Sequence, residues 1–499
     1  MPCGRPGPPY AGGVTGGPTT PAVGFDLDMT LIDSRPGIKA VYDALAAETG
    51  VDIDSAAAVT RLGPPLEDEL ARWFPDQDRV AAGDRFRALY PALAIHRSPA
   101  LPGAAAALAA VRSAGGRVVV ITGKYEPNAR LHLEHLGLQT DTVVGWRWAA
   151  GKSAAMAEHG VGVYVGDHAA DVQAALDAGA VAVGVATGPT TGAELRAAGA
   201  SVVLEDLTGF SDWFADHLLQ WRLDLLHARL AALGSVVVAF SGGADSAFLL
   251  AAATRTLGSA HVVAATAVSP SLPARELAAA KAFAAGLGVR HLTPATRELA
   301  VDGYRANAGD RCYFCKAELL DVLRPVADTL AVPHVATGTN ADDAAAGFRP
   351  GMRAASERGA LTPLLDAGLT KAQVRTVSRR WGLATWDKPA AACLSSRIAF
   401  GVEVTRDRLA RVEQAEDSLR ETLATAGWRA RDLRVRDLGA LARIEVDAEL
   451  AALLLRRGEL LDKVLAAVGR AGFEAVEVDP AGFRSGAMNE LLADPDRYR

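Results

Sequence analysis

The sequence predicts an α/β protein: two domains built on doubly wound parallel sheets, followed by a smaller α+β domain. Three observations carry this. Short apolar, β-branched runs alternate with Ala- and Leu-rich stretches in two series, one from Val23 to Val185 and one from Val236 to Thr337, and such alternation marks a parallel sheet with helices on both faces. At 499 residues the chain is too long for one ordinary core. Beyond about Ala391 the pattern changes, with strand candidates Leu433–Val435, Ala442–Val446 and Ala475–Val478 set between helices.

In chain order, residues 1–20 are rich in Gly, Pro and Thr and offer too few apolar groups to offset the entropy of ordering, so a disordered tail is expected. A first domain over 21–216 has strands at Val23–Leu27, Arg117–Thr122, Val161–Val165 and Val181–Val185, with a helical insertion at about 37–99. Asp212 to Leu233 carries Trp, Phe and Leu at helical spacing with almost no Gly or Pro, so the junction is read as a helix rather than a loose linker. The second domain, 217–395, begins Val236–Phe240, Val262–Val268 and His334–Thr337, and the third occupies 396–499.

Half of the residues are hydrophobic, the formal net charge is −6 and the pI is near 6.0. A dedicated nucleic-acid protein would carry a basic domain or stripe, so small-molecule substrates are favoured. No apolar run approaches the ~18 residues of a membrane span, and the first residues lack an apolar signal core. A cytoplasmic protein without membrane or nucleic-acid partners is expected, acting as a homo-oligomer on a nucleotide. Four cysteines, three in motif-like surroundings, suit a reducing compartment better than a disulfide framework.

Asp26-Leu27-Asp28 ends the first strand, where open α/β sheets place ligands. One carboxylate can attack phosphorus while the other serves as acid and base; an Asp-x-Asp alone also fits an ordinary solvated turn. Thr122 ends a strand, Lys152 opens a helix, and Gly166-Asp167 with Asp171 follows another strand. In this order the set resembles the haloacid dehalogenase superfamily, in its phosphoglycolate-phosphatase-like branch. The resemblance implies Asp26 as nucleophile, Asp28 as acid/base, Thr122 and Lys152 as holders of the phosphoryl group, and Asp26, Asp28, Asp167 and Asp171 around Mg2+, with 37–99 as the mobile cap.

In the second domain, Ser241-Gly242-Gly243-Ala244-Asp245-Ser246 follows an apolar run and opens a helix, so backbone N–H groups and a helix N-terminus can face an anion together. No Gly-Lys-Ser/Thr follows, so this is not a kinase-type P-loop. It looks like the loop of enzymes that split ATP between the α and β phosphates. Cys312 and Cys315 follow, and Cys393-Leu394-Ser395-Ser396-Arg397 comes later. Cys-x-x-Cys alone fits half of a zinc site; with Cys393 as third thiolate, the set can hold a [4Fe–4S] cluster with one iron free to carry sulfide. Lys388 and Arg397 flank Cys393 in sequence, a setting that favours thiolate. Arg434 and Arg436 alternate on one strand and Arg443 and Glu445 on the next, a pattern typical of a solvent face.

From about Leu230 to about Val478 the chain resembles the LarE family of ATP-dependent sulfur transferases, which act in nickel-pincer nucleotide synthesis. The stretches that carry the likeness are Tyr304-Arg305-Ala306-Asn307, Arg311 to Lys316, Ala336 to Asp343 and Trp386 to Arg397. The resemblance implies an adenine nucleotide alpha hydrolase-like fold, ATP bound through Ser241, Gly242, Gly243, Asp245 and Ser246, and substrate phosphate held by Arg397, Arg434 and Arg436 with Glu445 nearby. It implies adenylation of a carboxylate on a pyridinium mononucleotide and its conversion to a thiocarboxylate, with other proteins of that synthesis as partners. Family members with only the equivalent of Cys393 sacrifice its sulfur; three thiols point instead to a renewable source. The alternatives are a thiolase acting on tRNA or another small molecule, and a nucleotide-binding regulatory protein.

Overall fold

The computed structural model describes residues 19–345, 350–389, 393–484 and 488. Residues 1–18 of the expected tail and Ala390 to Ala392 of the cysteine motif therefore lie outside the described residues. The last two residues assigned to the tail are held in place: Thr20 is buried and donates to the Ala114 carbonyl at 2.8 Å, and Arg222 donates to the Thr19 carbonyl at 3.3 Å. The chain divides into two compact units, 1–222 and 223–499, and passes between them inside the helix Phe210–Leu233.

The first unit is built on six parallel strands, β1 (Ala22–Phe25), β2 (Val118–Ile121), β3 (Thr142–Val144), β4 (Val161–Gly166), β5 (Val181–Val185) and β6 (Val202–Leu204), in the order β3-β2-β1-β4-β5-β6. β1, β2 and β4 are wholly buried, as expected of strands covered by helices on both faces. Strand order reverses between β1 and β4, which leaves a crevice at their carboxyl ends. Helices Arg35–Thr49, Ser55–Ala58, Leu66–Leu70 and Asp76–Leu93 form the insertion after β1. It has its own core around Ile38, Val41, Tyr42, Leu70, Phe74 and Phe86.

The second unit holds four parallel strands, β7 (Val236–Ala239), β8 (Val262–Ala265), β9 (Arg290–Leu292) and β10 (Val335–Thr337), ordered β10-β7-β8-β9. Here the order reverses beside β7, whose carboxyl end leads into Ser241. A third sheet follows, β11 (Leu433–Asp437), β12 (Leu441–Val446) and β13 (Ala475–Val478), with β11 antiparallel and β13 parallel to β12. Helices Arg406–Thr425 and Gly458–Gly469 cover it, burying Leu409, Val412 and Leu419 with Val464 and Val468. Its core also takes in Tyr304 and Leu394 from earlier segments.

The sequence does not single out β3, β6 and β9. Each has three residues and lies at a sheet edge; polar residues interrupt the apolar run in β3 and β9, and the apolar run of β6, Val202 to Leu204, is too short to mark a strand by itself. Among the described residues no helix is long and apolar enough to cross a membrane.

Candidate active sites

In the first unit, Asp26 follows β1 and its N–H donates to the Val165 carbonyl on β4, which fixes it at the reversal of strand order. Asp167 follows β4, and Asp171 lies one turn into the helix Ala169–Asp177. Carboxylate oxygens of Asp26, Asp167 and Asp171 lie within 4.8 Å of one another, all three residues being buried. The Lys152 ammonium sits among them, 3.1 Å from Asp26 Oδ2 and 2.6 Å from Asp171 Oδ1. Thr30 donates to Asp167 Oδ1 at 2.9 Å. Asp171 also accepts from the His168 N–H at 3.2 Å, so the residue that completes a helix capping box also anchors Lys152.

Asp28, expected among the metal ligands, stands apart from that convergence: its Oδ1 lies 2.9 Å from Lys124 Nζ. Burial would raise the Asp28 carboxyl, but the adjacent Lys124 charge outweighs it and holds it below the usual carboxylate range. Lys124 also donates to Tyr90 Oη at 2.7 Å, and Tyr90 lies 3.1 Å from His132 Nε2. Thr122 is buried and its hydroxyl accepts from the Lys124 N–H at 3.2 Å. A cavity of about 230 Å3 joins Asp26, Asp28, Thr122, Lys152 and Asp167 to aromatic residues of the insertion.

Charge decides what this arrangement fits. Four carboxylates face two ammonium groups, so full ionisation leaves a deficit of two positive charges in a buried place. Burial pushes Asp26 up to about 7 despite Lys152, and burial with Asp26 and Asp171 raises Asp167 well above its ordinary value. Asp26 Oδ1 is buried without a hydrogen-bond partner. At Gly188 a Cβ would fall 1.7 Å from Asp167 Oδ2, so any side chain there would displace that carboxylate. Oxygen donors, an orphaned carboxylate oxygen and the charge deficit together fit a hard divalent cation such as Mg2+.

In the second unit, the Ser241–Ser246 turn joins β7 to the helix Ala244–Leu257. Gly242 has φ +71°, a conformation glycine adopts freely. Ser241 and Ser246 hydroxyls lie 3.1 Å apart, and Ser246 donates to the Gly243 carbonyl at 3.2 Å. Gly338 is required for close approach, since a Cβ there would lie 2.7 Å from the Ser246 nitrogen. A cavity of about 310 Å3 lies at the ends of β7, β8 and β10, lined by Ser241, Gly243, Asp245, Ser246, Thr266 and Lys316 among others. Burial raises the Asp245 carboxyl, partly offset by Lys371 and by a hydrogen bond with Asn340, and its Oδ1 is buried without a hydrogen-bond partner. Burial pushes the Lys316 ammonium down.

Cys312 and Cys315 lie in the first turns of the helix Arg311–Thr329, and Cys393 caps the short turn Leu394–Arg397. Burial, then Cys393, Glu298 and Cys312, push the Cys315 thiol up. Cys312 and Cys393 therefore lie near enough to bear on the Cys315 charge, although the three sulfurs do not all fall within 4.8 Å of one another. Cys312 is exposed and the other two are half-buried. Three thiolates are soft donors of the kind that both iron–sulfur clusters and zinc take, and the described residues add no fourth cysteine.

The flanking cations do not serve Cys393 as its sequence setting suggests. Lys388 is 2.7 Å from Glu276 and donates to the Gly242 carbonyl at 2.9 Å. Arg397 is 2.9 Å from Glu416 and donates to the Cys393 carbonyl, so both charges lie on carboxylates. Nor are Arg434, Arg436 and Glu445 a solvent face, since all three are buried. Glu445 accepts from Arg436 at 2.6 and 2.9 Å. Arg397 and Arg434 line a separate cavity of about 170 Å3 with Arg275, Arg420 and Arg431; Arg436 and Glu445 do not line it. Burial, with Arg397 and Arg436 adding repulsion, pushes the Arg434 guanidinium down to about 10. Glu416, itself buried, faces Arg275, Arg397 and Arg420.

The haloacid dehalogenase-like hydrolase family matches residues 23–176, and the HAD-hydrolase-like family matches 149–210. The chain is 32% identical over 217 residues to a phosphoglycolate phosphatase of Rhodospirillum rubrum, covering 38% of this chain and 90% of that protein. It is 40% identical over 275 residues to an uncharacterized protein of Synechocystis sp. (55% and 99%). It is 34% identical over 268 residues to pyridinium-3,5-bisthiocarboxylic acid mononucleotide synthase of Lactiplantibacillus plantarum (54% and 93%). The chain belongs to the pyridinium-3,5-bisthiocarboxylic acid mononucleotide synthase family, fused to a haloacid dehalogenase-like hydrolase.

In the hydrolase half, sequence reasoning missed Thr30, Lys124 and Tyr90. Thr30 and Lys124 each stand two residues after a named site residue, and that spacing was the available signal. In the synthase-family half it missed Lys316, Arg275, Arg420 and Glu416. Lys316 closes a quoted motif, but a glutamate in mid-helix carries no local mark of burial among three guanidinium groups.

Proposed function

We propose that the synthase-family half adenylates a carboxylate of a pyridinium mononucleotide with ATP and converts it to a thiocarboxylate, and that the hydrolase half is a Mg2+-dependent phosphomonoesterase. The observation that carries the first part is the Ser241–Ser246 turn at the reversal of strand order, in a chain that spans nearly the whole of a relative named for such a product. The substrate carboxylate attacks the α-phosphorus of ATP and pyrophosphate leaves; backbone N–H groups of the turn and the start of its helix offset the charge that develops on the leaving group. Sulfur then attacks the acyl carbon, forming a C–S bond as the bond to AMP breaks. A [4Fe–4S] cluster held by Cys312, Cys315 and Cys393 would supply that sulfur as sulfide. Were Cys393 the donor instead, its Cβ–S bond would break with loss of the α proton, leaving dehydroalanine. Arg397 and Arg434 border the cavity whose guanidinium lining suits the substrate phosphate.

In the hydrolase half, Asp26 attacks phosphorus as the alcohol departs; Asp28, kept ionised by Lys124, takes a proton from the water that cleaves the aspartyl phosphate, and the proton so gained is the one it gives to the departing alcohol of the next turnover. Lys152 and Thr122 hold the phosphoryl oxygens. Mg2+ held by Asp26, Asp167 and Asp171 would neutralise phosphate charge.

The sulfur source is tested on anaerobically purified protein. About four irons per chain are expected, with Cys393 intact by mass spectrometry after turnover, and Cys→Ala changes removing sulfur transfer while sparing AMP formation. Iron-free protein that loses one sulfur from Cys393 per product would assign the donor to Cys393. Tightly held zinc, with sulfur delivery unaltered in Cys312→Ala, would make Cys312 and Cys315 structural.

A further inference from the structure

The cavity of the hydrolase half carries more than the machinery for cleaving a phosphate ester. Its far wall is aromatic and partly wet. Tyr125 and Trp146 meet edge to face, ring centroids 5.7 Å apart, yet are 40% and 54% exposed. Arg87, from the insertion, lies 5.0 Å over the Trp146 ring. Trp148 lies deeper, 5.9 Å from the Lys152 ammonium, which itself touches Asp26. All of these line the same cavity.

The backbone presents these rings deliberately. Trp146 and Ala149 have φ of +56° and +45°, left-handed values that non-glycine residues adopt only at a cost. The loop is pinned to the phosphate site, because the Trp146 N–H donates to the Lys124 carbonyl at 3.0 Å and the Arg147 N–H to the Thr122 carbonyl at 2.9 Å. Gly145 lets it press down, since a Cβ there would fall 2.5 Å from the Glu126 Cβ. Exposed aromatic rings at a fixed offset from a phosphoryl pocket gain most from a flat partner whose face can cover them. A two-carbon phosphorylated acid would fill only the polar end and leave them in water.

We infer that the hydrolase half takes phosphomonoesters whose alcohol bears a flat heteroaromatic ring, as nucleoside monophosphates do, with the ring against Tyr125, Trp146 and Trp148. This rests on the phosphomonoesterase reading of the same site. The test measures phosphate release by the full chain with Mg2+ from adenosine monophosphate, nicotinamide mononucleotide, phosphoglycolate and glycerol 3-phosphate, each against the Asp26→Asn variant. The ring-bearing esters should show kcat/KM about tenfold or more above the other two, the scale of one good stacking contact. Trp146→Ala should raise KM for the ring-bearing esters several times more than for phosphoglycolate, with Trp146→Phe restoring most of the difference. Asp26-dependent hydrolysis that favours phosphoglycolate, or a Trp146→Ala effect equal for all esters, would overturn the ring inference and leave the phosphomonoesterase reading standing. Absence of Asp26-dependent release from all four would overturn both.

Discussion

The two halves solve a similar electrostatic problem with different materials. The hydrolase site is made of charged side chains packed on one another: Asp26, Asp167 and Asp171 around Lys152, and Asp28 against Lys124. The cavity beside β7 in the synthase-family half is framed by a backbone turn, two serine hydroxyls and a helix start, with Asp245 and Lys316 also lining it. Both stand where parallel strand order reverses, so the sheet dictates where a ligand binds. The loop after the strand dictates the chemistry. A site of buried charges is sensitive to any change in charge, whereas one of backbone donors loses function in smaller steps.

The sharpest way to break this comparison is Asp26→Asn in the full chain. It should abolish phosphomonoesterase activity, by at least about a thousandfold, while AMP and pyrophosphate formation stays near normal, because each site stands on its own sheet. Loss of both activities in a folded variant would contradict that independence. Glu416→Ala comes next, since it leaves buried guanidinium groups without their carboxylate; a stability loss of about 3 kcal/mol is expected in denaturant unfolding of the second unit. An unchanged midpoint would show that the cluster is not held by Glu416.

Asp245→Ala or Ser246→Ala should lower AMP formation at saturating ATP by roughly a hundredfold, the scale for losing one preorganised contact, with phosphate-ester hydrolysis retained. The smallest effect is a pH dependence in metal-free protein. The Asp26 and Asp167 carboxyls are raised on folding, so the native state binds protons that the unfolded chain has released. The Asp26 contribution is fully present below the unfolded carboxylate range and is lost as pH rises through about 7, and that of Asp167 is lost in the same direction. Chelator-treated protein should therefore lose melting temperature as pH rises from about 4 to about 7, and Mg2+ should restore more of it at the higher pH. A Mg2+ effect independent of pH would oppose the assignment of these carboxylates as its ligands.

Much of this was legible from residues alone. The central strands announced themselves through runs such as Val118 to Ile121, and Asp26, Lys152 and Asp167 through their places at strand ends and a helix start. Edge strands such as Arg290–Leu292 were not legible, because polar residues interrupt the apolar signal. Pairings made across long sequence separations were also hidden. Nothing local tells that Asp28 meets Lys124, that Lys388 turns to Glu276, or that Arg436 spends its charge on Glu445 while Arg434 borders a cavity. Charge patterns give the inventory of a site, and the fold decides the partners.

The most direct measurement is a product balance. Full-length protein, purified anaerobically, is incubated with ATP, Mg2+ and a pyridinium mononucleotide bearing a carboxylate, and AMP, pyrophosphate and thiocarboxylate are quantified together. Equal amounts of all three are expected, with AMP persisting and thiocarboxylate vanishing in Cys393→Ala. ADP with inorganic phosphate in place of AMP, or AMP formed without any sulfur-bearing product by the wild-type chain, would contradict ATP-driven sulfur transfer as its function.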